Sequence, residues 1–452
     1  MKRINLIAAA VMLVSLAASS CKKFLAAKPD AKLDVPSTLA DFQALLDYYP
    51  AISNNDPSSG EISADDYYLF TADYLALAQD NFRNMYTWQK DNLFVPGGNE
   101  WFNAYRPAFT SNTILEGLSA IVRTAANQSE YDNVKGEALY VRAKAFLKVA
   151  WQWAPAYDAA AGAKPGIPVR LTSDFNQRSV RAGLQETFNQ IISDFATAAR
   201  LLPVTPLQVL RPSRPAAYAM LARTYLYMGD YIHAGLYADS CLRLYSTLLD
   251  YNTLNAAAAY PIRKFNAEVI QESLMITSPP ISNTKARVDT LLYRSYAAND
   301  LRKTVFFKAG TNASHVFRGS YEGAPTLFGG VATDEVYLIR AECFARSGQT
   351  ALAMADLNTL LSKRYKTGTF TPFIAAAGAD ALALILTERR KELLFRGLRW
   401  PDLKRQNAAG ANINLTRIVN GKTYTLPAND PHYALPIPDD IIQLTGMQQN
   451  PR

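Results

Sequence analysis

Residues 214–244 read RPAAYAMLARTYLYMGDYIHAGLYADSCLRL, and this stretch decides the fold. Tyr218, Leu221, Ala222 and Tyr225 fall at helical spacing, Gly229-Asp230 interrupts them, and Tyr231 and Ala234 resume the pattern. Two helices joined by a tight turn follow from this. Ala222 lets the helices approach, Gly229 suits the turn, and Ala234 packs back against the first helix.

This is the spacing of a tetratricopeptide unit. It recurs at Tyr337, Ala341, Phe344, Gly348 and Ala353, and a helix at 130–153 carrying Glu137, Leu139, Arg142, Ala143, Phe146 and Leu147 could open a third pair. The copies are far apart rather than tandem, which excludes a regular solenoid. The expected fold class is therefore mostly α, with helix pairs forming a scaffold, long inserted loops and a few short strands.

Working outward, Leu39, Phe42, Leu45 and Leu46 predict a helix over 38–49, and further helices are expected at 101–126 and near 184–201. Pro50, Pro57 and Gly60 mark 50–66 as a loop, and Pro96-Gly97-Gly98 marks a second at 81–101. Residues 154–183 are a Pro/Gly-rich connection. The block 250–330 is irregular, rich in Tyr, Asn, Pro and Gly, and sits between the two repeats.

The N-terminus has its own signature. Lys2-Arg3 precedes an apolar run from Ile4 to Ala18, which passes into Ala18-Ser19-Ser20-Cys21. Residues 1–20 read as a signal peptide, too short for a good membrane span. Cys21 directly after small residues is a lipobox, so the mature chain is expected to begin there with diacylglyceryl on the thiol. Residues 22–38 read as a tether, docked through Phe24 and Leu25. Cys241 and Cys343 lie on apolar helical faces and are expected as buried free thiols. A hydrophobic content of 49% supports a large core, in one large or two merged domains. The formal charge of +8 is mild and scattered, with no basic stripe for nucleic acid.

Chemistry is sparse. His233, His315 and His432 are far apart, and no His-Glu-x-x-His, Cys-x-x-Cys, phosphate loop or Gly-x-Ser-x-Gly occurs. No metal, no cofactor and no catalytic residue is expected. Arg178 spoils a calcium-loop reading of Asp174 and Asn176. Asp65-Asp66 and Asp439-Asp440 read as solvated pairs. Aromatics in loops are the better lead, because sugar rings stack their C–H faces on them. Trp88 and Phe94 lie in the 81–101 loop, and Tyr293, Tyr296, Phe317 and Tyr321 lie in the irregular block. Trp101, which opens a helix with Phe102, Tyr105 and Phe109, reads as core.

Five segments, in order, resemble the SusD/RagB family. They are Cys-Lys-Lys-Phe-Leu from Cys21 with Lys28-Pro29; Tyr296 through Asp300-Leu301-Arg302-Lys303; DEVYLIRAE at 334–342; TERRKELLFRGLRWPDLKR at 387–405; and LPIP at 435–438 leading to GMQQNP at 446–451. The 387–405 segment is read as one helix ended by Gly397, either exposed with i,i+4 charge pairs or tied into a partly buried ion network. The resemblance implies an N-terminal region over 21–235 and a C-terminal region over 236–452, merged in one unit. It implies a non-catalytic lipoprotein of the outer membrane, facing outside, that binds oligosaccharides and passes them to a SusC-like TonB-dependent transporter. A peptide ligand, or a non-transport scaffold role, is the alternative. The chain departs from the family pattern at Arg396, where an acid is usual, near Leu398 and Pro401, where a His and an aromatic are usual, and at Lys22-Lys23, which replace acidic residues after the anchor.

Overall fold

The computed structural model describes residues 35–452. The signal peptide, Cys21, Phe24 and Leu25 lie outside the described residues.

Helix α1 (Leu39–Leu46) starts at a capping box: the Asp41 amide donates to the Thr38 hydroxyl at 3.2 Å and the Thr38 amide donates to the Asp41 carboxylate at 3.0 Å. The long helices are α2 (Glu100–Leu118), α3 (Gln128–Trp153) and α4 (Leu184–Leu201), then α5 (Arg214–Met228) with α6 (Tyr231–Leu244). Later come α7 (Thr333–Arg346) with α8 (Thr350–Ser362), then α9 (Gly378–Glu392), α10 (Arg399–Ala408) and the short α11 (Asp439–Thr445). Each helix from α2 to α6 packs on its successor, α6 packs on α7, and α7 packs on both α8 and α9.

The turn glycines act as expected. Gly229 takes φ +77° and Gly348 φ +74°, the left-handed region that costs other residues a Cβ clash. Asp230 then caps α6 by accepting from the His233 amide. Ala222, Ala234, Ala341 and Ala353 are fully buried where the helices meet. Helix α3 is the axis of the body: every residue of 136–153 is buried, as expected for a helix surrounded on all sides.

Short antiparallel strand pairs decorate this frame. A hairpin joins β1 (Phe307–Ala309) to β2 (His315–Phe317), and a second joins β3 (Leu415–Val419) to β4 (Lys422–Leu426). They lie in the irregular block and near the C-terminus.

Several expectations change, among them the 81–101 loop, which begins with a helix over Asp80–Tyr86. Segment 50–66 is no surface loop: it contains the turns of helix Tyr49–Ile52 and Ser59–Ser63 and runs through the interior. Asp56 there faces Lys148 at 3.2 Å and Lys144 at 3.4 Å, so two buried lysines of α3 hold it in place. Helix α2 ends at Leu118, short of the expected 126. The 387–405 segment is two helices, since α9 stops at Glu392 and a turn with Phe395 at φ +56° and Gly397 at φ +69° restarts the chain as α10.

That segment is tied into buried ion pairs rather than exposed. Arg302 bonds Asp300 (2.9 Å), Glu388 (2.5 Å) and Glu392 (2.9 Å), and Arg364 bonds Glu392 and Glu268, each at 2.7 Å. Arg389 and Arg405 share Asp402, and Arg405 reaches Glu342 on α7. Asp65 and Asp66 are likewise not solvated: they take Arg399 and Arg390. Arg396 pairs with Asp334 and lies over the rings of Tyr321 and Phe328. Cys241 and Cys343 are free and buried, as expected.

Candidate functional site

Among the described residues, a large concavity lies between α2, the 168–179 loop and α11. It has a volume of about 530 Å³ and adjoins a second hollow of about 440 Å³ along 178–183. Ser179, Thr445 and Met447 line both.

Helix α2 supplies two faces. Asn99 caps it by accepting from the Trp101 amide. Trp101 turns inward, edge-on to Trp153 at 5.2 Å, and Tyr105 follows it at 4.9 Å while donating its hydroxyl to the Pro168 carbonyl at 3.0 Å. Burial raises the Tyr105 hydroxyl well above its ordinary pKa, so it stays a donor. One face round, Phe102, Arg106 and Phe109 point outward. Phe102 is 60% exposed and Phe109 53% exposed, large values for phenylalanine in a helix.

The opposite wall is a loop held by hydrogen bonds. The Asn112 side-chain amide donates to the carbonyls of Arg170 (2.9 Å) and Thr172 (3.2 Å), and Glu116 accepts from the Ser173 amide at 2.8 Å. Arg170 donates back to the Gln177 carbonyl and the Ser179 hydroxyl. Asn112 itself is fixed by Arg142, which is paired through both nitrogens with Asp194 of α4. A chain of bonds therefore runs from the core to the loop. At its tip Phe175 is 84% exposed. Helix α11 closes the third side, with Arg178 donating to the Thr445 carbonyl at its C-terminus.

This geometry presents ring faces over a mostly apolar floor edged by Asn112, Arg170 and Ser179. Such a surface suits a flat, partly apolar ligand that stacks and hydrogen-bonds at once.

The residues expected to bind are placed differently. Trp88 is buried, its indole N–H donates to the Ser63 carbonyl at 3.0 Å, and Arg417 covers its ring. Tyr296 is buried with its hydroxyl on the Lys391 carbonyl at 2.7 Å, and Phe317 is buried against Phe395. Tyr321 is buried between Glu268 and Asp334. These four are corrections: burial leaves none of them a free ring face. Tyr293, Tyr296 and Phe317 gather around the β1–β2 hairpin, where Tyr293 is half-buried and stacked on His315 at 3.4 Å. Phe94 is half-buried on Trp153 and lines a separate hollow of about 300 Å³ with Lys90, Pro438 and Arg452. None of the six lines the large cleft. The exposed rings that do line it are Phe102, Phe109 and Phe175, none of them among the residues expected to bind. Their signal is the double aromatic face of α2: Phe102 and Phe109 lie about 100° around the helix from Trp101 and Ala108, and one body cannot cover both faces.

Fold and cleft together define a helical-repeat binding protein with one loop-walled aromatic cleft. Residues 23–226 match a SusD-like family model described as starch-binding, associating with outer membrane, and residues 334–452 match that of the SusD family. The chain belongs to the SusD/RagB family. Among solved structures, a SusD superfamily protein from Bacteroides thetaiotaomicron VPI-5482 superposes with TM-score 0.74 at 22% identity, covering 92% of this chain and 100% of that one. A SusD-like carbohydrate binding protein from Bacteroides vulgatus ATCC 8482 gives 0.66 at 19%, covering 90% and 96%. A laminarin binding SusD-like protein gives 0.65 at 18%, covering 91% and 98%. No curated protein matches the sequence.

Proposed function

We propose that this protein binds oligosaccharides in the cleft between α2, the 168–179 loop and α11, and passes them unaltered to a SusC-like TonB-dependent transporter. The observation that carries the reading is the convergence of Phe102, Phe109 and Phe175, three exposed rings on hydrogen-bonded supports, over one hollow. Stacking on such rings is how a non-catalytic site holds sugar C–H faces. A laminarin-binding relative of the same fold supports it. Affinity electrophoresis through polysaccharide gels tests it: Phe175→Ala and Phe102→Ala each weaken retention by about tenfold, close to the 1.4 kcal/mol expected of one lost stacking contact. Unchanged retention in both variants overturns the site.

Phenylalanine rims carry no hydroxyl and also suit apolar peptide side chains, which makes a peptide the second reading. Retention of peptides in place of any glycan would decide for it. Attachment through Cys21, with the body facing outside, completes the proposal. Cys21→Ser then abolishes palmitate labelling and releases the body from membranes, and protease shaving of intact cells removes the wild-type body. A protected body contradicts the outward-facing arrangement. Co-purification of a TonB-dependent transporter tests the delivery step.

A further inference from the structure

The residues lining the cleft and its extension include Arg106, Arg170, Arg178, Arg181 and Lys164, and no aspartate or glutamate. This is a marked concentration in a protein whose formal charge is only +8.

Many arginines elsewhere are answered by carboxylates, as in the network around Arg302, Arg364 and Arg405, although Arg318, Arg417 and Arg452 also bond only carbonyls. Those of the cleft have no carboxylate partner among the described residues. Arg170 donates to carbonyls and the Ser179 hydroxyl, Arg178 to the Thr445 carbonyl, and Arg181 to the carbonyls of Gly166 and Gln448. Neutral partners fix these guanidinium groups in place without cancelling their charge. Arg106 stands exposed on α2 between Phe102 and Phe109. Only Lys164 has a carboxylate, Asp158. The nearby acids Glu116, Asp174 and Asp440 accept from backbone amides and line neither hollow.

Like charges gathered in one concavity repel each other and focus a positive field there. Guanidinium groups also match planar or tetrahedral oxyanions through paired donors. We infer that the natural ligand is an anionic oligosaccharide, its uronate or sulfate groups held by Arg106 and Arg178 while its rings stack on Phe102, Phe109 and Phe175. This rests on the glycan reading above and narrows it.

The experiment compares matched pairs in affinity gels and by titration calorimetry: polygalacturonate against its methyl ester, and a sulfated galactan against its desulfated form, with oligoglutamate as the peptide arm. The expected result is retention of at least one acidic member about tenfold or more above its neutral partner, with the advantage falling as salt rises. The uronate and sulfate pairs separate the two sources of charge. Arg106→Gln and Arg178→Gln each cut that preference severalfold. Arg106 is exposed on α2, so its variant keeps the fold, and its melting temperature checks this. Equal, salt-insensitive binding of acidic and neutral members overturns the anionic inference and leaves the glycan site standing. Retention of oligoglutamate with no glycan, or of nothing, overturns both.

Discussion

Glu61 sits inside the body with one carboxylate oxygen accepting from the Gly397 amide at 3.0 Å and the other unpartnered. Burial, and then the charge of Asp66, push its pKa up from 4.5 to about 8. The folded state thus keeps a proton that the unfolded chain releases. The stability it contributes is full below about 4.5 and is lost as pH rises toward 8. Glu61→Gln fixes the neutral form. Its melting temperature should fall less than the wild type's between pH 5 and pH 8, by an amount worth on the order of a few kcal/mol. Parallel profiles would mean that Glu61 is ionised in the fold. At the same scale, burial pushes the thiols of Cys241 and Cys343 up to about 12. Neither should react with a disulfide reagent at neutral pH until the protein unfolds. Rapid modification of one thiol would place it at the surface.

The α9–α10 turn shows how elements are joined. Arg302, fully buried, meets Asp300, Glu388 and Glu392, so one guanidinium ties the irregular block to α9. Arg302→Met leaves those carboxylates short of a counter-charge and should cost about 3–5 kcal/mol, read as a fall in the urea midpoint. A loss near zero would show that Lys391 and Arg364 suffice. The helix pairs at 214–244 and 333–362 were legible because small residues and turn glycines are local signals. An ion network was one of two open readings of 387–405, but its partners were not legible, since Glu268, Arg302, Arg364 and Glu392 are separated by long stretches of chain and only the fold joins them. The 387–405 segment failed as one helix for a related reason. Leu393, Leu394 and Phe395 have the composition of a helix interior, yet tertiary packing buries them in a turn with Phe395 at positive φ.

Taken whole, the molecule is a helical frame with many ion pairs inside and an aromatic cleft lined by arginines without carboxylate partners. Of the six loop aromatics chosen from the sequence, four are buried and two are half-buried. Aromatics in Gly- and Pro-rich segments such as Trp88 and Tyr321 were drawn into the core, where their polar tips found partners. The exposed rings of the cleft sit on a regular helix, where aromatic spacing looks like a core stripe, and at Phe175, a lone phenylalanine in a polar loop. The unpaired arginines were equally hidden, because the absence of a carboxylate neighbour is visible only once the chain has folded. The central claim is that ligand binds at this cleft. The most direct measurement is a crystal structure of the protein with whichever glycan the gels retain best. Sugar density stacked on Phe102, Phe109 or Phe175 is the predicted result. Density against Phe94, at the β1–β2 hairpin beside Tyr293, or elsewhere with the cleft empty would contradict it.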